Sequence, residues 1–308
     1  METGLPDHRT ASSKFWIGIL LAITATLIWS GNFIVARSVH SSIPPVNLAF
    51  YRWLTASLIL LPFAWSARKE MVQAIAGNPG YYVAIAVTGV SLFNTLVYVA
   101  GKYTTAINMA LVGTTSSPIL VILLGSLFLK EKISWLRLAG LITCLLGIFY
   151  LLSKGSWENL LALRFGRGDA WILAGAFAFS IYTLLVRRKN DRLSPVAFLF
   201  LAFSLGTICL LPFWFWENRV QPPIQWTPAL AAIILYLGLG ASVLAFLCWN
   251  GAIQRIGAVR TALFGNLIPL FSSFEALLLL GEELTRIHLI SGALILVGLI
   301  LANLRPKL

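Results

Sequence analysis

The chain has 308 residues, 58% hydrophobic and only 11% charged, with a mean hydropathy of +0.85. A soluble globular chain carries about 25% charged residues, so this apolar excess is too large for one or two soluble cores and defines an integral membrane protein. The formal net charge of +12 would point to nucleic acid in a soluble protein, so the location of those charges decides what they mean.

A membrane helix needs roughly 20 apolar residues to cross about 30 Å of hydrocarbon. In chain order the qualifying stretches are about 15–36, 46–66, 81–101, 106–129, 134–153, 170–186, 195–216, 228–250, 257–280 and 287–304. They predict an all-α polytopic membrane protein with ten transmembrane helices. β-Barrel strands would be half as long and alternating. The first stretch is too long for a signal-peptide core and is read as a retained span. Cys144, Cys209 and Cys248 fall inside spans, which argues against a disulfide framework.

Cytoplasmic loops collect Lys and Arg. Fifteen of the 23 basic residues lie on the side that holds both termini and seven on the other, with Arg52 inside a span. Both termini are therefore expected in the cytoplasm, with the chain in the inner (plasma) membrane. The excess charge becomes an orientation signal, and no nucleic-acid partner is expected. The expected partners are the lipid bilayer and a small-molecule substrate; the oligomeric state, monomer included, stays open.

An offset of 150 residues aligns Ser30 with Ser180, Arg37 with Arg187, Pro45-Val46 with Pro195-Val196, and Leu60-Leu61-Pro62-Phe63 with Leu210-Leu211-Pro212-Phe213. From residue 89 the offset is 151 and pairs Gly89 with Gly240, Ser91 with Ser242, Pro118 with Pro269, Glu131 with Glu282, and Gly147 with Gly298. Matches at Pro, Gly and Glu in one register mark a duplication. The copies are expected at 1–154 and 155–308. Five spans per copy is an odd number, so the second copy enters the membrane from the opposite face. Two inverted five-helix repeats follow, the design of many secondary transporters, with a substrate site at the midplane and alternating access between faces.

Polar groups inside spans are expensive and face an interior or a cavity. The first span carries Trp29, Ser30 and Asn32, and Trp29 lies outside the interfacial belt expected of Trp16, Trp65, Trp135, Trp157, Trp171 and Trp226. It is either a packing aromatic or a cavity wall, and in both cases its N–H needs a buried partner. Thr115 precedes Pro118 in the fourth span, and Asn266 precedes Pro269 in the ninth. A mid-span proline frees a carbonyl, so these two sites are expected as kinks near the substrate. Asn94 and Tyr98, Ser180 and Tyr182, and Ser242 and Trp249 complete the candidate substrate-binding set, with Asn250 beside them. The set is neutral and aromatic and suits a small amphipathic or zwitterionic solute.

Two ionisable residues lie well inside spans. Arg52 is about six residues, and Glu275 about five, below the same outer surface. At equal depth they are candidates for a pair that is either a structural salt bridge or a gate, with Glu275 alternatively a proton carrier.

The ten spans, the motif Trp29-Ser30-Gly31-Asn32-Phe33, Tyr51-Arg52-Trp53, Tyr103-Thr104-Thr105-Ala106, Pro118 with Leu129-Lys130-Glu131, and Pro269 with Leu280-Gly281-Glu282 resemble the drug/metabolite transporter superfamily, in its EamA branch. Within that branch the aromatic, neutral interior is similar to YddG-type amino-acid exporters. The resemblance implies a pair of half-bundles around a central cavity, exporting aromatic or other neutral amino acids and related metabolites, facilitatively or coupled to an ion. The alternative is a proton-coupled multidrug efflux transporter, against which the acid-free first span counts. A membrane-embedded enzyme would need clustered acids or histidines, and His8, His40 and His288 are scattered. No catalytic residue, metal site or cofactor is expected.

Overall fold

The computed structural model describes residues 8–104, 106–128, 134–161, 166–189, 193–272, 275 and 285–304. Every regular element among them is helical. Helix α1 spans His8–Ser38, and α2 spans Pro45–Ala64 and continues through a 3₁₀ turn, Trp65–Ala67, into Arg68–Gly77. Then come α3 (Pro79–Tyr103), α4 (Ala106–Phe128) and α5 (Trp135–Leu152). After a short helix, Trp157–Leu161, follow α6 (Arg167–Arg187), α7 (Pro195–Val220) and α8 (Pro228–Ile256). Helix α9 starts as Ala258–Leu263, tightens to 3₁₀ over Phe264–Leu267 and is helical again over 268–272; α10 is Arg286–Asn303.

Among the described residues seven helices are long and apolar enough to cross a membrane: α1, α2, α3, α6, α7, α8 and α10. The other three expected spans fall on α4, α5 and α9, whose described apolar runs are shorter. Local chemistry sets the helix starts. Pro45, Pro79, Pro195 and Pro228 occupy first turns, where a missing N–H leaves no bond unmade. Asn78, Ser194 and Thr227 cap three of these by accepting from Tyr81, Ala197 and Leu230 N–H. The expected proline kinks differ from each other: α4 stays helical through Pro118, whereas α9 tightens just before Pro269.

Two π-helical segments, Val87–Leu92 in α3 and Tyr236–Leu244 in α8, were not anticipated from the sequence. Under the 151-residue offset the first maps onto 238–243, inside the second. Ser91 Oγ bonds Gly206 O at 2.9 Å and lies 3.4 Å from Ala86 O, five residues back, and its mate Ser242 donates to Leu237 O at 2.8 Å, also five residues back. Each π segment lies against the second helix of the other copy. A Cβ on Gly206 of α7 would meet Val90 Cγ1 at 2.2 Å, and one on Gly238 of α8 would meet Thr55 Cγ2 of α2 at 2.6 Å.

The most extensive packings, α5 on α10, α2 on α7, α4 on α6, α1 on α8 and α3 on α6, all join a helix before residue 155 to one after it. Helices on the two sides of the expected boundary therefore share one interior. The α5–α10 contact is antiparallel and maps onto itself under the repeat. A Cβ on Gly140 would fall 2.5 Å from Gly298 O, and one on Gly147 would fall 2.9 Å from Ser291 O, while Cys144 Sγ sits 3.4 Å from Ile295 O. Small residues here let the backbones approach closely, as is common between membrane helices. The opposite surfaces of the helices are apolar: Leu20, Leu27, Leu58, Phe63, Leu127 and Ile208 are all exposed, as hydrocarbon contact requires. The six tryptophans expected in the interfacial belt are exposed, and Trp29, Trp53 and Trp249 are buried.

Replacing Gly298 by Leu has no room to be absorbed and is expected to cost about 1–3 kcal/mol by overpacking. Gly265→Ala, where a Cβ meets nothing within 4 Å, is expected to leave stability unchanged. Thermal unfolding of the purified protein in detergent checks both.

Candidate transport site

The side chain of Arg52 is 1% exposed and is held wholly by neutral groups. Its Nε donates to Ser242 Oγ at 2.6 Å, and Nη2 donates to Ala241 O at 2.8 Å. Its Nη1 lies 3.0 Å from Asn32 Oδ1, 2.7 Å from Asn94 Oδ1 and 2.8 Å from Tyr98 OH. The guanidinium also stacks over Trp53, 4.8 Å from the ring centroid, a cation–π contact strengthened by burial. One side chain on α2 therefore ties together α1, α3 and the π segment of α8.

The expected Arg52–Glu275 ion pair is not formed. Glu275 Oε1 instead accepts from Ser30 Oγ, and among the described residues no carboxylate contacts Arg52. Helix α1 stands between the two: Ser30 faces Glu275 while Asn32, two residues on, faces Arg52. Ser30 Oγ also lies 2.5 Å from Leu27 O, and Ser272 Oγ donates to Ser30 O at 3.0 Å.

Trp29 is buried, and its N–H has the partner that burial requires. Its Nε1 donates to Ala241 O at 2.8 Å, the same carbonyl that serves Arg52, and its ring packs against Phe179, Phe246 and Trp249 with centroids 5.1–5.5 Å away. Trp29, Phe93, Phe179 and Trp249, with Ser117 and Gly265, line an apolar cavity of about 50 Å³. Binding sites for drug-sized ligands run to roughly 300–1,000 Å³, so this cavity is too small to hold one as it stands. A wider cavity of about 660 Å³ lies where α1 ends, α2 begins, α7 ends and α8 begins, lined by Ser41, Pro44, Lys102, Gln221 and Thr227 among others.

The remaining candidates scatter around the chamber. Tyr182 OH donates to Asn250 Oδ1 at 2.8 Å, and Trp249 Nε1 lies 3.5 Å from Thr183 Oγ1. Ser180 bonds its own helix at Ala176 O, 2.7 Å away. Asn266 is fully buried beside Cys144 of α5 and is not among the chamber's lining residues. Pro118 and Pro269 are buried, and the Thr115 side chain lies outside the described residues. Sequence reasoning missed Phe93 and Phe179, which build half of the aromatic wall. It also missed Glu217, 6% exposed, which accepts from Asn47 N at 2.7 Å, Asn47 Nδ2 at 2.9 Å and Val46 N at 3.3 Å. The signal for Glu217 was an acid one turn from a span end with an uncapped helix start, Pro45-Val46-Asn47, elsewhere in the chain.

Membrane-length apolar helices closed around a buried polar cluster and an aromatic chamber define a multi-pass membrane transporter for a small molecule. Residues 16–153 and 166–304 each match the EamA-like transporter family, and the chain belongs to it. It is 32% identical over 92% of its length to a protein of Archaeoglobus fulgidus named an uncharacterized transporter, covering 96% of that protein. It is 24% identical to the uncharacterized transporter YyaM of Bacillus subtilis, over 93% of this chain and 94% of that one. A solved crystal structure at 20% identity covers 95% of this chain and 96% of its own, with a TM-score of 0.73, and has the same fold.

Among the described residues Ser242 is the partner of Arg52 Nε. Ser242→Ala is expected to destabilise the protein by about 1.5–3 kcal/mol, the worth of a hydrogen bond to a charged group, and Ser242→Thr to retain most of it. Thermal unfolding of the two variants side by side decides.

Proposed function

We propose that the protein exports aromatic or other neutral amino acids and related metabolites by alternating access, through a chamber between Trp29, Phe93, Phe179 and Trp249. The observation that carries this reading is the join between that aromatic chamber and the Arg52 cluster through one indole, since Trp29 both lines the cavity and shares the Ala241 carbonyl. An amphipathic zwitterion has an apolar body for the first region and charged ends for the second. Ten spans in two inverted copies, split near residue 154, agree with the duplicated π segments and with the antiparallel packing of the mates α5 and α10. With both termini in the cytoplasm of the inner (plasma) membrane, the 660 Å³ cavity is the outward mouth of the pathway.

Purified protein in liposomes loaded with labelled L-phenylalanine is expected to release it faster than protein-free vesicles. Trp29→Ala removes several ring contacts worth about 0.5–1.5 kcal/mol each and is expected to slow release about tenfold. No release of any amino acid from a labelled panel overturns the reading.

Proton-coupled efflux is a second reading, carried by Glu275 as an acid at membrane depth joined to Ser30. In that reading Glu275→Gln abolishes the response of flux to an imposed pH gradient. An unchanged response in the variant removes Glu275 as the carrier.

A further inference from the structure

The Arg52 cluster has an excess of positive charge. A guanidinium carries five N–H bonds and no acceptor, and no carboxylate among the described residues contacts it. Asn94 turns its Oδ1 to Arg52, which leaves its Nδ2 buried and without a partner. What the cluster lacks is an acceptor-only group with negative charge.

The two edges of the guanidinium are not equivalent. Around Nη1 three acceptors, Asn32, Asn94 and Tyr98, crowd two hydrogens. The Nε–Nη2 edge is the fork that takes a carboxylate in bidentate fashion, and it is filled by Ser242 Oγ and Ala241 O. Both of those oxygens come from one element, the π segment of α8. Single π turns are less regular than the α-helix around them and recur at functional sites. Ala241 O is also the partner of Trp29 Nε1, so its withdrawal from Arg52 would release the chamber wall at the same moment.

We propose that the Nε–Nη2 edge of Arg52 is a carboxylate-binding site, occupied in this closed conformation by the α8 π segment as an internal stand-in. A ligand bound there by its carboxylate would lay its apolar body past Trp29 into the aromatic chamber. The substrate class is then aryl or alkyl carboxylates, amino acids included, and decarboxylated amines are excluded. The assignment rests on the transport reading for its view of the chamber as the substrate path.

The test is ligand-dependent thermal stabilisation of the full chain in detergent, with four probes: L-phenylalanine, phenylacetate, phenethylamine and L-phenylalaninamide. The two carboxylates are expected to stabilise, with apparent affinities at least tenfold above those of the amine and the amide. Arg52→Lys keeps the charge but loses the fork, and is expected to abolish that preference. Where that variant does not fold, Ser242→Ala serves: it retains Arg52 and removes one internal competitor, so it is expected to tighten phenylacetate binding severalfold. Equal stabilisation by phenethylamine, no stabilisation by either carboxylate, or weaker phenylacetate binding in Ser242→Ala overturns the site. Selective carboxylate binding without flux in liposomes would sustain the site and overturn the transport reading. Flux of phenylalanine, with the amide competing equally, would do the reverse.

Discussion

A guanidinium at membrane depth must be surrounded by polar partners, and that requirement organises the interior of this protein. A charged side chain at the centre of a membrane helix costs about 2.5–3.5 kcal/mol even by the mildest scales. Arg52 avoids standing unpaired by drawing acceptors from α1, α3 and α8. None of these partners is charged, so the arrangement holds four helices together without neutralising the cation. The α8 π segment turns both the Ala241 carbonyl and the Ser242 hydroxyl toward α2, and Gly238 lets it lie against Thr55. Trp29 is then positioned as a consequence, because its N–H finds the same carbonyl.

The repeat duplicates backbone and packing but not chemistry. Both π segments and the α5–α10 crossing obey the same offset. At Arg52, however, the mate is Ala202; the mates of Asn32 and Tyr98 are Tyr182 and Trp249. The cation comes from the first copy but is held in part by Ala241 and Ser242 of the second, while in the second copy Tyr182, Trp249 and Phe246 pack with Phe179. The buried Glu217, tied to the start of α2, likewise has an uncharged mate, Ala67.

Much of this was legible in the sequence because it rests on local rules. The all-helical class, apolar helices long enough to cross a membrane and the exposed interfacial tryptophans follow from periodicity and composition. The individual polar residues of the Arg52 cluster were also identifiable, since Asn32, Asn94, Tyr98 and Ser242 stand out in apolar runs. Their mutual contacts were not. Depth along a span follows from counting residues, and Arg52 and Glu275 were placed at one level on that basis. Which faces of the helices meet depends on tertiary packing, and Ser30 and Asn32 on α1 take the two residues separately. The π segments were invisible for another reason: one extra residue in a turn leaves apolar composition unchanged. Only the paired Gly89/Gly240 and Ser91/Ser242 marked their places. Phe93 and Phe179 were missed because an aromatic ring in an apolar span reads equally as lipid contact and as cavity wall.

In the proposed transport cycle, the α2–α8 contact at Arg52 is the closed state of a device that opens alternately at its two ends. Spin-label distances in lipid nanodiscs test it most directly, with one pair at Ser41 and Gln225 and a second at Lys69 and Arg255, all exposed positions near opposite ends of the bundle. Adding L-phenylalanine is expected to shift the two distance distributions in opposite senses, one end widening as the other narrows. Single, unchanged distances at both ends with and without the amino acid would contradict the account.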